Sequence, residues 1–260
     1  MIQIHAATSG GPKLHVLAEF SRQAAEMLAD AIVTTIRASG RCRVALAGGS
    51  TAMGVYAQLR ELLPHDAYAQ LWVTWTDEPV LPIPDDLQPG EWQRLDPQSH
   101  VYAAYDAWLA HVPVVHAQVL PLAVSADPHR ELVRFGRAFQ QAFAGNVDIA
   151  VIAPGADGHI AALYPQHPAT EIDDIALLIH DCPKGPSARL TLSGPQIGRA
   201  AKVVVLATGA KKSQLIVDAW HREVDVPLSK LTRIDHSYWL VDHEAAAALI
   251  ARSCGAPRTA

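Results

Sequence analysis

Cysteine is scarce in this chain of 260 residues, which contains three: Cys42, Cys182 and Cys254. They are widely spaced and odd in number, so they match neither a disulfide framework nor a paired-cysteine metal site. A reducing cytoplasm is therefore the expected compartment. The first residues also lack a charged segment followed by an apolar core, so no secretory signal is predicted.

Long hydrophobic runs and blocks of like charge are also missing. The longest apolar runs fall well short of a membrane span. Charged residues make up 18% of the chain, half of the residues are hydrophobic, and the net charge is -5 at pH 7. This is the balance of a soluble globular protein, and the lack of a basic block argues against nucleic-acid binding. We expect a monomer or small homo-oligomer that binds neither membrane nor nucleic acid.

Three well-known catalytic motifs do not occur in the sequence. Without G-x-S-x-G, a serine esterase has little support. Without H-E-x-x-H, zinc hydrolysis has little support, and without G-x-G-x-x-G a nicotinamide cofactor is not expected. We therefore predict no metal and no cofactor, which leaves reactions that side chains carry out with water.

The hydrophobic pattern predicts strands that alternate with helices along the whole chain. Helical spacing covers residues 18–38, 52–63 and 127–143, and branched apolar runs at 43–47, 71–77, 114–122, 147–153 and 202–207 are typical of strands. This alternation predicts an α/β fold: a doubly wound, mostly parallel sheet with helices on both faces, as in Rossmann-like proteins. We expect one domain spanning residues 1–260.

The stretch Val147–Pro165 carries the strongest local signal. An apolar run ends at Pro154 and two glycines, and the turn between them exposes Asp157 and His159. Open α/β sheets bind ligands in loops that follow a buried strand. The alternative is a glycine-rich loop that only turns the chain, and the residues 161–163 that follow are compatible with the start of a helix.

A second glycine turn, Gly48-Gly49-Ser50-Thr51, lies between a predicted strand and a predicted helix. The hydroxyls of Ser50 and Thr51 are suited to capping the helix. Free N–H groups and the positive end of the helix dipole are suited to binding a phosphate. A plain helix cap is the alternative. Asp77 ends the next strand, and its side chain is expected to face the same crevice.

The segment 155–165, GADGHIAALYP, resembles the 6-phosphogluconolactonase signature G-x-D-G-H-x-A-S-L-F-P. The resemblance implies the fold that this family shares with glucosamine-6-phosphate deaminase. The deaminase signature continues A-F-N-E-P, whereas this chain has Ala162-Leu163-Tyr164, so the match favours the lactonase. Further segments resemble the family along nearly the whole chain: 47–51 (its phosphate loop), 189–192 (R-L-T-L) and 208–212 (T-G-x-x-K).

The chain departs from the family at two positions. Pro79 stands where an arginine is usual, which removes a strong phosphate ligand, and His100 stands where an asparagine is usual. The loop 80–96 is least alike, and its Arg94 is a candidate to replace the missing guanidinium. These departures keep two alternatives open, a non-catalytic sugar-phosphate-binding homologue and a lactonase for another lactone.

The resemblance implies hydrolysis of 6-phospho-D-glucono-1,5-lactone to 6-phosphogluconate in the oxidative pentose phosphate pathway. His159 is the expected general base that activates water, because an imidazole titrates near neutral pH. Asp157 is expected to orient its ring or stabilise the imidazolium. The expected substrate- and phosphate-binding residues are Gly48, Gly49, Ser50, Thr51, Asp77, Glu78, His100, Gly158, Arg189 and Lys212.

Overall fold

The computed structural model describes residues 2–5 and 11–253. Its strands are β1 Ile2–His5, β2 Lys13–Leu17, β3 Cys42–Leu46, β4 Leu71–Trp75, β5 Asp77–Pro79, β6 Ile149–Ile152, β7 Ala176–Ile179, β8 Arg189–Leu192, β9 Lys202–Ala207 and β10 Ser237–Asp242. Its α-helices are α1 Phe20–Ser39, α2 Ser50–Leu62, α3 His100–Ala107, α4 Pro128–Phe143, α5 Gly194–Gly198, α6 Ser213–Trp220, α7 Pro227–Lys230 and α8 Ala247–Ser253. Short 3₁₀ helices occupy 65–70, 92–94, 109–111, 116–118, 168–171, 210–212 and 231–233.

The main sheet has seven strands in the order β1-β2-β10-β9-β6-β3-β4. Its strand pairs are all parallel except the edge pair of β1 with β2. This confirms the predicted mostly parallel α/β fold. Within this sheet, the strand that follows β3 along the chain is β4, at one edge. The strands that follow β6 are β9 and then β10, which lie on the other side of β6. The neighbouring strands β3 and β6 therefore form a topological switch point, where open α/β sheets bind ligands.

A second, antiparallel sheet of three strands, β5-β8-β7, was not foreseen. The predicted strand 71–77 is in fact two strands that belong to different sheets, separated by Thr76. The N–H of Thr76 donates to Leu46 in the main sheet at 2.8 Å, and its carbonyl accepts from Leu192 in the small sheet at 2.8 Å. Thr76 therefore joins the two sheets and directs the next residue, Asp77, away from the main sheet.

Three local predictions were wrong. Residues 114–122 form no strand but a 3₁₀ turn at 116–118 and one isolated bridge, Val73 to Val119, because Pro113 before the segment and Pro121 within it donate no ladder hydrogen bonds. Residues 161–163 open no helix, since the Leu163 N–H returns to Ile160 in a tight turn. The N-cap of α2 is Gly49 and no side chain caps the helix, so the hydroxyls of the serine and threonine that follow are not capping groups.

The predicted long helix is confirmed as α4, and Asp127 caps it by accepting from two backbone N–H groups. Its aromatic side chains Phe135, Phe139 and Phe143 are completely buried or nearly so. Phe139 stacks on Phe143 with ring centroids 5.2 Å apart, and Phe143 meets Trp72 of β4 edge-on. This stripe therefore anchors α4 to the sheet as core, as its spacing of four residues predicts.

Within the residues that the structure describes, no helix is both long and apolar enough to cross a membrane. Cys42 and Cys182 are buried free thiols, and Cys254 lies outside the described residues.

Candidate active site

Three loops follow adjacent strands of the main sheet and leave it at the same edge. Gly48 and Gly49 follow β3, the segment 153–159 follows β6, and Thr208 and Gly209 follow β9. Since β9, β6 and β3 are consecutive parallel neighbours, the loops emerge roughly 5 Å apart from one strand to the next. The switch point between β3 and β6 thus brings the two predicted glycine turns together.

Glycine is required in the turn after β6 because a side chain lies against the backbone. A Cβ on Gly155 would be 2.0 Å from Cε1 of His159 and 2.6 Å from Oδ1 of Asp157. Gly158 has φ +86, and a Cβ there would be 2.7 Å from Val226. The Gly155 N–H donates to the carbonyl of His159 at 3.0 Å, which closes the turn. The turn therefore fixes the imidazole against the chain.

Asp157 and His159 form a direct pair, with Nδ1 of the imidazole 2.5 Å from Oδ1 of the carboxylate. An ionised carboxylate accepts but does not donate, so Nδ1 carries the proton and Nε2 keeps its lone pair. Burial lowers the pKa of His159, and although Asp157 opposes this, the net shift is downward. The imidazole is therefore neutral at neutral pH and able to accept a proton at Nε2. The Tyr164 ring lies beside it, with centroids 4.8 Å apart.

The glycine turn after β3 starts helix α2. Gly49 has φ +89 and ψ 155, a conformation open essentially to glycine, and it precedes a helix of 13 residues. The first N–H groups of a helix have no partner inside it, and the dipole adds positive potential there. The Thr51 hydroxyl lies 2.9 Å from the hydroxyl of Thr208, which ties this turn to the loop after β9.

Lys212 lies in that third loop, and its side chain is partly buried. Burial lowers its pKa, and although Asp242 opposes the shift, the net direction is downward. Asp242 in turn accepts the Gly209 N–H with both carboxylate oxygens, at 3.1 and 3.0 Å. The loop is therefore held in place by a carboxylate at the end of β10, which the sequence did not identify.

Asp77, Glu78, His100 and Arg189 form a buried cluster beside these loops. Nδ1 of His100 donates to the Asp77 carbonyl at 2.9 Å and lies 3.4 Å from its carboxylate. Arg189 Nη1 donates to the other carboxylate oxygen of Asp77 at 2.9 Å. Asp77 and Glu78 are each 4% exposed, so they are not open crevice carboxylates as the sequence suggested. Asp77 instead orients two cationic side chains.

The pKa values of the members of this cluster shift in different directions. Burial would raise the pKa of Asp77, but His100 and Arg189 outweigh it and the net shift is downward. For Glu78 burial prevails and raises the pKa to about 7. Burial would lower the pKa of His100, but Asp77 and Glu78 raise it to about 9. His100 is therefore an imidazolium at neutral pH, held between a carboxylate and the glycine turn.

His100 contacts that turn directly. A Cβ on Gly48 would be 2.4 Å from Nε2 of the His100 ring, so the ring occupies the space that any larger residue at 48 would need. The charge of Asp77 also acts on His159. The contact of His100 with Gly48 and the effect of Asp77 on His159 group the buried cluster, the glycine turn and the Asp157–His159 pair as one candidate cleft.

Of the two departures from the family, His100 is a member of this cluster and Pro79 is next to its Glu78. Pro79 pairs in register with Arg189 across β5 and β8, so the arginine of the R-L-T-L segment lies opposite the position of the missing one. Arg189 Nε is buried without a hydrogen-bond partner among the described residues. Arg94 pairs with Asp86 and Glu91 inside its own loop, at 2.5 and 2.7 Å.

Sequence reasoning missed Lys184, whose Nζ lies 3.7 Å from Oδ2 of Asp157. It belongs to the turn between β7 and β8, and only the second sheet brings that turn to the cleft. The segment 181–186, D-C-P-K-G-P, has two prolines and a glycine, which are typical of a turn, but nothing in it indicates which residue Lys184 contacts. As for metals, no group of three or more potential ligands among His, Cys, Asp and Glu comes together in the described part of the chain.

The fold and the cleft define an α/β protein that gathers polar side chains at a switch in strand order, at the carboxyl edge of its sheet. The profile of the family described as Glucosamine-6-phosphate isomerases/6-phosphogluconolactonase matches residues 16–239. The chain belongs to this family.

Relatives within the family carry the lactonase name. The chain is 28% identical to the 6-phosphogluconolactonase of Mycobacterium tuberculosis over 239 residues, covering 87% of this chain and 92% of the relative. It is 29% identical to that of Streptomyces coelicolor over 254 residues, covering 91% and 93%. The structure of 6-phosphogluconolactonase from Trypanosoma brucei is similar with a TM-score of 0.72 at 26% identity, covering 93% of this chain and 100% of that one.

A monomeric glucosamine-6-phosphate deaminase is almost as similar in structure, with a TM-score of 0.71 at 20% identity, covering 92% of this chain and 99% of that one. At that identity the likeness concerns the fold alone. The fold therefore does not separate the two activities of the family, and the choice between them depends on the site and its sequence.

Proposed function

We propose that the protein hydrolyses 6-phospho-D-glucono-1,5-lactone to 6-phosphogluconate, with water activated by a side chain. The observation that carries this proposal is the Asp157–His159 pair at the switch point. The carboxylate holds Nδ1–H, and the net downward shift in the pKa of His159 leaves Nε2 ready to accept a proton. This is the arrangement of a general base that is oriented by a third group.

In the proposed reaction, Nε2 of His159 takes a proton from water while the water oxygen attacks the lactone carbonyl. The carbonyl becomes an oxyanion, which a nearby N–H group or cation stabilises. The intermediate then collapses, the bond from the carbonyl carbon to the ring oxygen breaks, and the imidazolium returns its proton to that oxygen. Asp157 stabilises the imidazolium while it exists. The products are an acid and a hydroxyl, so atoms and charge balance.

We assign the phosphate to the opposite side of the cleft. Positive potential there comes from the backbone N–H groups of the segment 48–51, which leads into α2, and from the ammonium of Lys212. Arg189 adds a guanidinium charge beside Asp77, and the His100 imidazolium lies against Gly48. The cleft thus offers cations from three chain segments to a dianionic group, which supports a phosphorylated substrate. The buried free thiols Cys42 and Cys182 are consistent with a reducing cytoplasm, where we place the protein.

The test is a coupled assay with freshly generated 6-phosphoglucono-δ-lactone, in which a dehydrogenase oxidises the 6-phosphogluconate as it forms. The rate is corrected for spontaneous opening of the lactone, and glucono-δ-lactone without phosphate is the matched substrate. We expect turnover of the phosphorylated lactone with a far higher kcat/KM than that of the unphosphorylated one. No turnover above the spontaneous rate would refute the proposal.

Pro79 and His100 favour one alternative, a lactonase that acts on a different lactone. His100 is a member of the buried cluster, and Pro79 pairs in register with its Arg189. Faster turnover of the unphosphorylated lactone would support this reading. Binding of 6-phosphogluconate without turnover of either lactone would instead support a sugar-phosphate-binding protein.

A further inference from the structure

Asp157 lies between two partners in the structure, one at each oxygen. Oδ1 accepts from His159 at 2.5 Å, and Oδ2 lies 3.7 Å from Nζ of Lys184. The Lys184 side chain is 56% exposed and that of Asp157 is 39% exposed. An ion pair this open to water is weak, since solvent screens both charges. Lys184 is therefore held loosely at the carboxylate that orients the proposed base.

Lys184 also lies within electrostatic range of a second ammonium group. Its charge acts on Lys212, which comes from the loop after β9, and contributes after burial to the lowered pKa of Lys212. Two cations on separate loops repel each other unless an anion lies between them. Lys212 has Asp242 as its own counter-charge, whereas the ion pair seen for Lys184 is with Asp157. This arrangement favours the binding of an anion between Lys184 and Lys212, which would attract Lys184 away from Asp157.

We propose that Lys184 is a positioning residue whose ammonium moves from Asp157 to the phosphate of the substrate, so that Asp157 then serves His159 alone. The inference rests on the proposed function, because it takes the anion to be the phosphate of the lactone. The carboxylate would thereby couple binding of the phosphate to the strength of the base. An unphosphorylated lactone would leave Lys184 in place and gain no such effect.

The charges that face His159 are those of Asp157 in its own turn, Lys184 from the β7–β8 turn and Asp77 from β5. After burial, Lys184 is the neighbour that lowers the pKa of His159, while the two carboxylates raise it. Movement of Lys184 away from Asp157 therefore raises the pKa of the imidazole. The base becomes stronger when the substrate is bound.

The test is a pH titration of the His159 Cε1–H signal by NMR, assigned by its absence in His159→Gln. Sulfate is the probe, because its charge is constant across the titration. In the wild type, sulfate should raise the pKa of His159. In Lys184→Met the pKa should already be higher without sulfate, and sulfate should raise it by less. Lys230→Met, which removes another lysine–carboxylate pair (with Glu171), should behave as wild type.

A His159 titration that is the same in Lys184→Met as in the wild type would overturn the inference, as would a wild-type titration that sulfate leaves unchanged. Kinetic measurements distinguish failure of the role proposed for Lys184 from failure of the proposed function. If the phosphorylated lactone is turned over, its kcat/KM should fall roughly tenfold or more in Lys184→Met, because a charged hydrogen bond is lost. Turnover of the unphosphorylated lactone should not fall, because that substrate has no phosphate to lose and the removal of Lys184 leaves the base no weaker. Equal effects on both substrates would refute the role of Lys184 while leaving the lactonase proposal intact.

Discussion

Replacing Gly48 by alanine tests whether the glycine turn and the buried cluster meet as described. The added Cβ would lie 2.4 Å from Cδ2 and Nε2 of His100, where ordinary contacts are 3.4–4 Å, so the ring would have to retreat by about 1 Å. The ring has little room to do so, because Nδ1 is bound to the Asp77 carbonyl and the His100 carbonyl accepts from Trp75. Overpacking of this kind costs about 1–3 kcal/mol of unfolding free energy.

The assay is a double-mutant cycle by urea unfolding, with Gly48→Ala, His100→Ala and the combination of the two. Because removing the ring also removes the clash, the double mutant should be less destabilised than the sum of the single mutants, by about 0.5–3 kcal/mol. Gly136→Ala is the control, since no atom of the described residues lies within 4 Å of a Cβ added to this helical glycine. It should stabilise α4 by roughly 0.5–1 kcal/mol. Additive effects of Gly48→Ala and His100→Ala would refute the contact.

Three further predictions concern charge, the base and the core. The pKa of His100 is raised to about 9 in the folded protein, so the stability that it contributes should be complete below its ordinary value near 6.5 and lost as pH rises through 9. The free energy of unfolding should therefore fall over that range in the wild type and fall less in His100→Asn, and equal slopes would contradict this. Gly155→Ala should lower kcat for the lactone about 10²-fold or more without unfolding the protein, because its Cβ would displace the base, and an unchanged kcat would argue against the fixed imidazole. Phe139→Ala should cost about 3–5 kcal/mol in urea unfolding because it opens a cavity, whereas Val133→Ala, at a side chain that is 55% exposed, should change stability little. Similar losses for both would show that α4 is not anchored by its phenylalanines.

Much of the architecture follows from local signals. The helix α4 and the strand β9 were predicted within a residue, because a cap and a regular apolar period are properties of adjacent residues. The glycine turns after β3 and β6 were recognisable for the same reason. That the two turns lie at the same edge of the sheet was also predictable, because alternating strands and helices form parallel sheets whose loops share one edge.

The rest of the site depends on contacts between distant residues. Asp77 pairs with Thr191 in the second sheet, and its carboxylate binds Arg189 across 112 positions of sequence. No local pattern announces such a pair, so Asp77 was placed at a strand end that faces the crevice rather than in a buried cluster. Lys184 was missed because its turn reaches the cleft through that same sheet. The positions of Asp77 and Lys184 thus depend on antiparallel pairing between distant strands, which local sequence patterns do not predict.

The most direct test of the proposed mechanism is to measure kcat for 6-phosphoglucono-δ-lactone in His159→Gln. This change removes the proton acceptor but keeps a polar side chain. His65→Gln, at an exposed histidine, is the matched control. If His159 is the general base, kcat should fall by about 10²–10⁴-fold with little change in KM, and the control should retain wild-type values. A wild-type kcat in folded His159→Gln would contradict the account.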